Sequence, residues 1–540
     1  MDMVKKILIA LSFAVVVAGI YFRLTNIAQN QLFYYDEGFY LSMHRAFDEL
    51  ITRMPPHNLT DTLKYLKYNL YLSLGSGKTL WLFFIHLRGL LGNHFEDFYF
   101  ARILAAIFGI VTLGVTYLFA LRYFKSQTIA LLALVILALL PSHVYYSRLG
   151  MQETLSALCL LTGFYFYLIP NKFGARSILG SLFFVLSYLS NYRMFVVPVH
   201  VLLAEVYLAV NEKTKFNARR FIWSMVAFAS LVVFFGVIND GSNFRFNIIW
   251  MLRQSESAHA HFSVLSLLSY PYSIFRLESF MLGLFFFMNL FFMTRRGGNH
   301  LLPFFLAMLQ MGIFSFAEEK GVRYLCVILP FLAMAVAHGI SRILTIVAQR
   351  PLLKAVVIAL IGLMLTEETL QANAIRHFSS AYQTSMQDIL REDGNAKVLS
   401  SQPLVQSLFA PKEDNVKELP EQFESILAYA THGYQYLIID PQAYVSFTEG
   451  GARFVPPLKG PLEFIVANMT PVKEYDHFSD AMLERFVFEH NVNLRDSLNF
   501  LRVNKNKHFN KLRVYKTKDC VEEVLRRIEQ RNRLKNQPRG

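Results

Sequence analysis

The sequence predicts a polytopic α-helical membrane protein with a soluble α/β domain at its C-terminus. The 540-residue chain is 54% hydrophobic and only 17% charged, and its mean hydropathy is +0.34. Soluble globular proteins carry about 25% charged residues. Long apolar runs fill residues 1–372, whereas residues 373–540 have an ordinary soluble composition. One part of the chain therefore suits a bilayer and the other suits water.

About 11 apolar stretches approach the roughly 20 residues that a helix needs to cross the hydrocarbon core. The first follows Lys5 and Lys6 and is read as an uncleaved span, because no small-residue cleavage site follows it. The predicted spans are residues 7–24, 101–122, 128–146, 153–170, 177–191, 195–210, 221–238, 272–293, 301–317, 324–341 and 355–371.

The loops between these stretches differ in charge. Lysine and arginine accumulate on the cytoplasmic side of membrane proteins. Alternate loops are all basic: Lys5/Lys6, Arg122/Lys125, Lys172/Arg176, Lys213/Lys215/Arg219/Arg220, Arg295/Arg296 and Arg342/Arg350/Lys354. With an odd number of spans, the N-terminus is predicted to be cytoplasmic and the C-terminal domain extracytoplasmic, in a bacterial or archaeal plasma membrane.

Net charge does not point to nucleic-acid binding, and the cysteines show no motif of their own. The formal net charge is +14, but most basic residues lie in the loops just described, and no basic-aromatic recognition module is present, so nucleic-acid binding is rejected. The three cysteines form neither a disulfide framework nor a CxxC metal motif.

The C-terminal part, residues 373–540, alternates strand-like and helical patterns. Strands are predicted at residues 396–400, 436–439 and 512–515, with helices at 421–429, 480–489 and 520–530. This alternation is typical of a small α/β domain. No phosphate loop or zinc motif occurs in it, so its role is left open.

The first outer loop, residues 25–100, contains the aromatic and acidic stretch from Phe33 to Tyr40, with Asp36 and Glu37 at its centre. The same loop contains an apolar segment, Thr79 to Leu91, that is too short to span and is predicted to lie in the headgroup plane as an interfacial helix. The alternative for Asp36 is structural: it caps a helix running to Phe47. Both interpretations hold a carboxylate in one place.

Two further outer loops collect charge. The first, between predicted spans, contains Arg148 and Glu153, for which the alternative is a local loop ion pair. The second contains Glu318, Glu319, Lys320 and Arg323 before Tyr324, for which the alternative is a solvated loop with Arg323 reaching the headgroups. Lys78, Arg193 and Arg245 are further outer cations, for which the alternative is contact with headgroup phosphates.

These residues share one predicted face of the membrane and complementary chemistry. Charge is costly in the bilayer, about 2.5–3.5 kcal/mol per residue on insertion scales, so such groups usually have a task or a partner. Carboxylates accept protons from attacking nucleophiles. Lysine and arginine bind phosphate. The combination indicates phosphoryl-linked lipid chemistry at the outer leaflet.

Four features in this order resemble the GT-C glycosyltransferases, in particular the protein O-mannosyltransferase and aminoarabinose (lipid A) transferase group. They are the Asp36-Glu37 pair, the span ARILAAIFGIVTLGVTYLFALRYF at residues 101–124, the segment LLPSHVYYSRLGMQE at 139–153, and the segment EKGVRYLCVILPFL at 319–332. The resemblance covers most of the membrane part and hardly constrains the C-terminal domain.

The resemblance implies transfer of one sugar from a polyprenyl-phosphate donor to an acceptor hydroxyl, with inversion, and assigns the residues to two sets. Asp36 matches the proposed general base, while Glu37 and Glu153 complete the catalytic set. Arg148, Lys320, Arg323, Tyr324 and Lys78 form the donor-phosphate set. A protein, lipid or glycan acceptor, no cofactor and no metal are expected, although a divalent cation at Asp36 and Glu37 is an open alternative.

Two departures from the family's pattern are visible. GSGKTL, residues 75–80, stands where many relatives have Lys-Pro-Pro, so that only Lys78 can substitute there. The WWDxG signature of oligosaccharyltransferases is missing, since the tryptophans are Trp81, Trp223 and Trp250. Transfer of a whole oligosaccharide to asparagine is therefore not expected.

Two other classes of function stay open on the sequence. A transporter or lipid flippase would be expected to show internal repeats and polar groups near the bilayer midplane, whereas here the charges cluster at one face. A non-catalytic scaffold that presents the C-terminal domain would tolerate alanine at Asp36, Glu153 and Arg323 together. The sequence indicates neither the sugar nor the acceptor.

Overall fold

The structure is a computed structural model of the chain, and it is mostly helical. It describes residues 3–27, 35–53, 60–61, 64–65, 78–90, 97–168, 175–211, 217–238, 264–293, 300–317, 321–440, 459–477, 484–488, 494–504 and 510–535. The chain divides into two compact units, the first comprising Met1–Ile27 with Met43–His377 and the second comprising Ala28–Ser42 with Phe378–Gly540.

The first unit is built from apolar helices. The described helices that begin in residues 1–377 are α1 (Met3–Leu24), α2 (Tyr35–Arg53), α3 (Thr79–Leu90), α4 (Asp97–Phe124), α5 (Gln127–Leu139), α6 (Pro141–Tyr146), α7 (Glu153–Leu168), α8 (Ala175–Ser190), α9 (Val197–Asn211), α10 (Ala218–Ile238), α11 (Val264–Ser273), α12 (Phe280–Met293), α13 (Leu302–Ser315), α14 (Leu329–Ile346) and α15 (Pro351–Ile375). Two 3-10 turns, Tyr192–Val196 and Val322–Ile328, lead into α9 and α14, and a π turn, Ile274–Glu278, joins α11 to α12.

Helices lie in every stretch that the sequence predicts as a span. Three described helical segments are both long and apolar enough to cross a membrane, namely Phe98–Phe124, Tyr192–Asn211 and Val322–Ile346. Several of the others are apolar but shorter. The apolar helices indicate a membrane location, while the number of crossings and the orientation stay predictions.

Small residues allow close approach of neighbouring helices in this unit. A Cβ atom on Gly163 of α7 would lie 2.4 Å from the ring of Phe184, and one on Gly180 of α8 would lie 2.9 Å from the carbonyl oxygen of Gly163. Gly19 of α1 meets α5 in the same way, because its Cβ would lie 2.6 Å from the carbonyl oxygen of Ala138. Such contacts are typical of helix pairs in membranes, where apolar burial adds little to association.

The apolar stretch 128–146 is one predicted span but two helices, because Pro141 interrupts it. Proline has no N–H group, so the carbonyl of Leu137 loses its helical partner. Arg23 of α1 supplies new donors: its Nη2 donates to Leu137 O at 3.1 Å and its Nη1 to Ala138 O at 2.7 Å. The freed backbone groups of a helix break must be satisfied inside the protein in lipid.

The other side of this break is also satisfied by a charged side chain. The N–H of Ser142 donates to Oε2 of Glu278 at 3.0 Å. Glu278 ends the π turn and is 3% exposed. Helix α1 and the π turn, both distant in sequence, therefore stabilise the break between α5 and α6. Helix α6 leads into the loop that carries Arg148 and Glu153.

The second unit contains a five-stranded mixed sheet. Its strands are β1 (Lys397–Ser400), β2 (Val416–Glu418), β3 (Tyr434–Ile439), β4 (Lys473–Asp476) and β5 (Lys511–Lys516), in the order β2-β1-β3-β5-β4. β1 is parallel to β2 and β3, whereas β5 is antiparallel to β3 and β4. Its described helices are α16 (Tyr382–Glu392), α17 (Pro403–Gln406), α18 (Phe423–Thr431), α19 (Lys459–Asn468), α20 (Leu494–Asn504) and α21 (Thr517–Lys535).

The predicted α/β domain is confirmed in outline, with two strands more than expected. The three predicted strands correspond to β1, β3 and β5. β2 and β4 are short, mostly polar segments, VKE and KEYD, without an apolar run, which is why the sequence pattern does not reveal them. The core between sheet and helices is formed by buried side chains that include Leu399, Leu437, Ile439, Leu462, Ile465 and Tyr515.

Candidate active site

Three cations and two tyrosine rings form a cluster in the first unit, which we call the cation–tyrosine cluster: Lys78, Tyr192, Arg193, Arg323 and Tyr324. Lys78 Nζ lies 4.7 Å from the centre of the Tyr192 ring. The guanidinium of Arg193 lies 4.3 Å from the centre of the Tyr324 ring and 5.2 Å from that of Tyr192. Arg323 lies 5.7 Å from the Tyr324 ring. These distances are typical of cation–π contacts.

Local structure positions the first two cations. Lys78 directly precedes α3 and is 6% exposed, and its carbonyl oxygen accepts the first helical bond, from the N–H of Leu82 at 3.0 Å. Its Nζ donates to Oδ1 of Asn191 at 3.3 Å. The same oxygen caps the 192–196 turn by accepting from the N–H of Arg193 at 3.2 Å. One amide therefore ties Lys78 to the turn that carries Arg193.

The segment of Tyr324 is held from two neighbouring helices. Nε2 of Gln310 in α13 donates to the carbonyl oxygen of Tyr324 at 3.3 Å. The hydroxyl of Tyr270 in α11 donates to the carbonyl oxygen of Gly321 at 3.5 Å. A Cβ at Gly321 would lie 3.1 Å from the Tyr324 ring, so glycine leaves room for that ring. The tyrosine is 5% exposed and fixes the two arginines beside it.

The chemistry of this cluster suits a phosphate. A cation stacked on a ring keeps N–H groups at its rim for an anion, and arginine binds phosphate through two parallel bonds. The structure brings together three residues of the predicted donor-phosphate set, Lys78, Arg323 and Tyr324. It adds Arg193, which the sequence ranks only as a secondary cation. Lys320 and Arg245 lie outside the described residues.

Arg148 has a different environment from the one predicted. It is 3% exposed, and its Nη1 donates to the carbonyl oxygens of Phe22 at 2.6 Å and Thr25 at 2.8 Å. These are the last carbonyls of α1, the end of a helix that attracts cations. The guanidinium is thus engaged by backbone, and the geometry supports a structural role. Its assignment to the donor phosphate stays a prediction.

Glu153 begins α7 and is 1% exposed. Its Oε1 accepts from Nε2 of Gln152 at 3.0 Å. Helix α7 packs against the 322–328 turn, which carries Arg323 and Tyr324. A carboxylate at the N-terminus of a helix is stabilised in its charged form. Glu153 is therefore a buried acidic group on an element that contacts part of the cation–tyrosine cluster.

Asp36 and Glu37 lie in the first turn of α2, and residues 28–42 belong to the second unit. Helix α2 begins at Tyr35 and ends at Arg53, so Asp36 is not a cap before the helix, and the helix does not end at Phe47. The difference has a physical reason, since acidic side chains are favourable throughout the first turn. Glu37 is 1% exposed and Asp36 is half-buried.

Several polar residues of this region are not singled out by the sequence. Tyr192, which is half-buried, lies between Lys78 and Arg193. Arg23, Arg102 and Glu278 are buried charges within apolar stretches. A charge inside an apolar stretch is the signal that could have found the last three. No comparable signal marks Tyr192, because tyrosines are frequent throughout the chain.

The described residues contain no group of three or more His, Cys, Asp and Glu side chains that could hold a metal ion. The divalent-cation alternative at Asp36 and Glu37, which involves only two carboxylates, stays a prediction.

Part of the chain matches a known protein family. Residues 81–238 match the family model described as dolichyl-phosphate-mannose-protein mannosyltransferase. That range is less than a third of the chain. It includes Arg148, Glu153 and Arg193, but not Asp36, Lys78 or Tyr324.

Solved structures of two enzymes share the fold. The archaeal oligosaccharyltransferase AglB of Archaeoglobus fulgidus, in complex with an inhibitory peptide and a dolichol-phosphate, matches with a TM-score of 0.54 at 12% identity, covering 82% of this chain and 71% of that one. ArnT of Cupriavidus metallidurans in the apo state matches with a TM-score of 0.54 at 14% identity, covering 81% and 93%. ArnT bound to undecaprenyl phosphate matches with a TM-score of 0.51 at 13% identity, covering 88% and 96%.

No curated protein matches the chain by sequence. The family match and the shared fold confirm the resemblance to GT-C membrane glycosyltransferases. At these identities the structural similarity establishes the fold alone.

Proposed function

We propose that this protein is an inverting glycosyltransferase that moves one sugar from a polyprenyl-phosphate donor to an acceptor hydroxyl at the outer face of the membrane. The observation that carries the proposal is the cation–tyrosine cluster, in which Lys78, Arg193 and Arg323 lie beside the buried ring of Tyr324 and the half-buried ring of Tyr192. Solved relatives in fold are bound to undecaprenyl phosphate and to a dolichol-phosphate, which supports a donor of this class.

The cluster's task in this proposal is to hold and neutralise the donor phosphate. As the bond between the sugar's C1 and the phosphate oxygen breaks, its electron pair goes to the phosphate, which gains negative charge. Preorganised cations stabilise charge where it develops in the transition state. Tyr324 and Tyr192 keep the cations in place before the donor arrives, so little reorganisation is needed.

Asp36 acts as the general base. It takes the proton of the acceptor hydroxyl while that oxygen attacks C1 from the face opposite the phosphate, which inverts the configuration. Such base catalysis contributes roughly 10²–10⁴-fold to rate. Glu37 and Glu153 complete the acidic set. Nucleotide sugars are confined to the cytoplasm, so a lipid donor is the chemical solution for an external transferase.

The test of this function is sugar transfer by Asp36→Asn. Asparagine keeps the shape of aspartate but cannot accept the proton, so we expect transfer to fall by about 10²–10⁴-fold while the protein still inserts. The assay is mass spectrometry of products formed in membranes from a panel of polyprenyl-phosphate sugars. A matched control is Asp61→Asn, which removes an acidic group that pairs with Lys64 at the surface. Full activity of Asp36→Asn would refute the mechanism.

A further inference from the structure

The sheet of the second unit has a topological switch point. The chain passes from β1 to β2 on one side of β1, and then crosses to β3 on its other side. In open α/β sheets, ligands bind in the crevice outside the carboxyl ends of the strands at such a point. That crevice lies here at the ends of β1 and β3.

Hydrogen bonds tie the two strand ends together. The N–H of Ser401, directly after β1, donates to the carbonyl oxygen of Ile438 at 3.0 Å. The N–H of Asp440, directly after β3, donates to Oγ of Ser401 at 3.1 Å. Asp440 is 1% exposed. The crevice therefore has a rigid floor that ends in a buried carboxylate.

The start of α2 packs against this edge of the sheet. A Cβ on Gly38 would lie 2.9 Å from Cγ2 of Val405 and 3.2 Å from the carbonyl oxygen of Leu404. Both residues belong to α17, which follows β1 directly. Tyr40 and Leu41 are each 3% exposed. Only glycine allows α2 to approach this closely, and Gly38 is the neighbour of Glu37.

Tyr382 connects the crevice to Glu37. Its hydroxyl donates to Oδ2 of Asp440 at 2.6 Å, and its carbonyl oxygen accepts from Nε2 of Gln406 at 3.0 Å. Burial raises the pKa of Tyr382 well above its usual value, and the charges of Asp440 and, to a lesser extent, Glu37 raise it further. The phenol is therefore a neutral donor whose pKa is raised by the charges of both carboxylates.

His477 closes the far side of Tyr382. The two rings meet edge to face with their centres 4.6 Å apart. Nδ1 of His477 accepts from the N–H of Ala381 at 2.9 Å, which is the residue before Tyr382. Burial lowers the pKa of His477 well below its usual value, so the ring is neutral and acts as a fixed wall. The rotamer of Tyr382 is thus set on three sides.

We propose that the C-terminal domain is a positioning unit for the catalytic carboxylates, in which the switch-point crevice seats the first turn of α2 at Gly38, and Tyr382 with Asp440 holds the crevice in shape and thereby, through the helix, orients Glu37 and Asp36. The crevice that holds a diffusible ligand in other α/β proteins holds a segment of its own chain here. Tyr382 and Asp440 are positioning residues. The inference rests on the proposed role of Asp36.

The expected size of the effect follows from geometry. An O–H···O⁻ bond is short and charge-assisted, and here it fixes the phenol of Tyr382 against Asp440 at the crevice. Displacing a catalytic group by about 1 Å from a distant change can lower the rate by about 10²-fold. Loss of positioning should therefore act on kcat rather than on binding of the donor.

The first experiment measures kcat and donor KM for full-length variants in membranes. We expect Tyr382→Phe and Asp440→Ala to lower kcat by about 10- to 100-fold with KM within about twofold. Asp440→Asn should stay within about threefold of the wild-type kcat, because its amide oxygen still accepts the phenol's bond. Tyr475→Phe is the matched control, since Tyr475 also donates to a carboxylate, that of Asp388 at 3.0 Å, but lies on edge strand β4.

The second experiment tests the contact without activity. Gly38→Val should lower the midpoint of thermal unfolding, because a Cβ at residue 38 would lie 3.2 Å from both the Cα of Val405 and the carbonyl oxygen of Leu404, which are backbone atoms. The control is Gly394→Val, since a Cβ at residue 394 meets nothing within 4 Å. Equal midpoints for the two variants would overturn the seating of α2 in the crevice.

The outcomes separate the two proposals. An inactive Asp36→Asn, a lower unfolding midpoint for Gly38→Val than for Gly394→Val, and a kcat loss restricted to Tyr382→Phe and Asp440→Ala support positioning. An inactive Asp36→Asn with unchanged kcat in Tyr382→Phe and Asp440→Ala overturns positioning and leaves the proposed function intact. An equal kcat loss in Tyr475→Phe reduces the effect to general destabilisation and also overturns it. A fully active Asp36→Asn removes the premise of both.

Discussion

At the scale of single residues, the cation–tyrosine cluster brings together side chains that are far apart in sequence. Lys78, Arg193 and Arg323 come from three separate segments, and the rings of Tyr192 and Tyr324 lie between them. Each cation alone resembles an ordinary headgroup contact. Their convergence on two rings, of which Tyr324 is buried and Tyr192 half-buried, distinguishes them from cations scattered along a membrane surface.

The first prediction at this scale concerns Arg193. Alanine removes a cation that could make charge-assisted bonds to a phosphate, each worth about 1.5–3 kcal/mol. We therefore expect Arg193→Ala to raise the donor KM by about 10- to 100-fold. Arg193→Lys keeps the charge but loses the planar stacking on Tyr324, and should be intermediate.

The control for Arg193 is another stacked arginine. Arg527 lies 5.0 Å from the ring centre of Phe464 in the second unit. Arg527→Ala should leave the donor KM unchanged in the same steady-state assay. If Arg193→Ala also leaves KM unchanged, the cluster does not bind the donor.

The sequence predicts the members of the site better than their arrangement. Lys78 and Arg323 can be named because charge near the end of an apolar stretch is unusual, whereas Tyr324 is named only through the family resemblance of the segment 319–332. The pairing of Arg193 with Tyr324 cannot be read from sequence, since it depends on how the 192–196 and 322–328 turns come together in three dimensions. Arg148 illustrates the converse: its type suits phosphate, but the carbonyl end of α1 engages it first.

At the scale of elements, apolar helices are predictable because hydrophobicity is a local property of the chain. Their breaks are partly predictable. Pro141 marks one, but the side chains that satisfy its backbone groups cannot be read from the local sequence: Arg23 donates to a freed carbonyl, and Glu278 accepts from a freed N–H. Strands β2 and β4 are not predictable in this way, since they form by pairing with β1 and β5 rather than by their own apolar pattern.

The close contact between α7 and α8 can be tested by substituting Gly180. A Cβ on Gly180 would lie 2.9 Å from Gly163 O and 3.1 Å from the N atom of Tyr167, both backbone atoms that cannot move aside. We expect Gly180→Ala to lower the free energy of unfolding by about 1–3 kcal/mol. Thermal unfolding of the purified protein measures it.

The control is a glycine with space around it. A Cβ on Gly362 of α15 meets nothing within 4 Å. Gly362→Ala should be neutral or slightly stabilising, because alanine favours a helix over glycine by about 1 kcal/mol. Equal midpoints for the two variants would show that α7 and α8 do not approach as described.

At the scale of the whole molecule, the proposed function depends on sidedness. The alternating basic loops predict that Gln127, after Lys125, faces the cytoplasm and that Arg45 and Lys417 face outside. All three side chains are exposed, and the native cysteines Cys159, Cys326 and Cys520 are buried. A single new cysteine at each position should therefore report its own side.

We expect a membrane-impermeant maleimide to label Arg45→Cys and Lys417→Cys on intact cells. Gln127→Cys should be labelled only after the cells are permeabilised. Labelling of Arg45→Cys from the cytoplasmic side alone would remove Asp36 from the outer face and with it the mechanism.

The bonds of Arg23 have a consequence for biogenesis. One of its acceptors, Gly19 O, is in its own helix, but Ala138 O lies 115 residues further along the chain and His143 Nδ1 lies 120 residues further. A guanidinium is costly to leave unsolvated in hydrocarbon. Arg23 lies in the last turn of α1, so we expect it to reach water or headgroups until α5 and α6 have been synthesised. The final packing of the first helix would then follow the synthesis of residue 143 rather than its own exit from the ribosome.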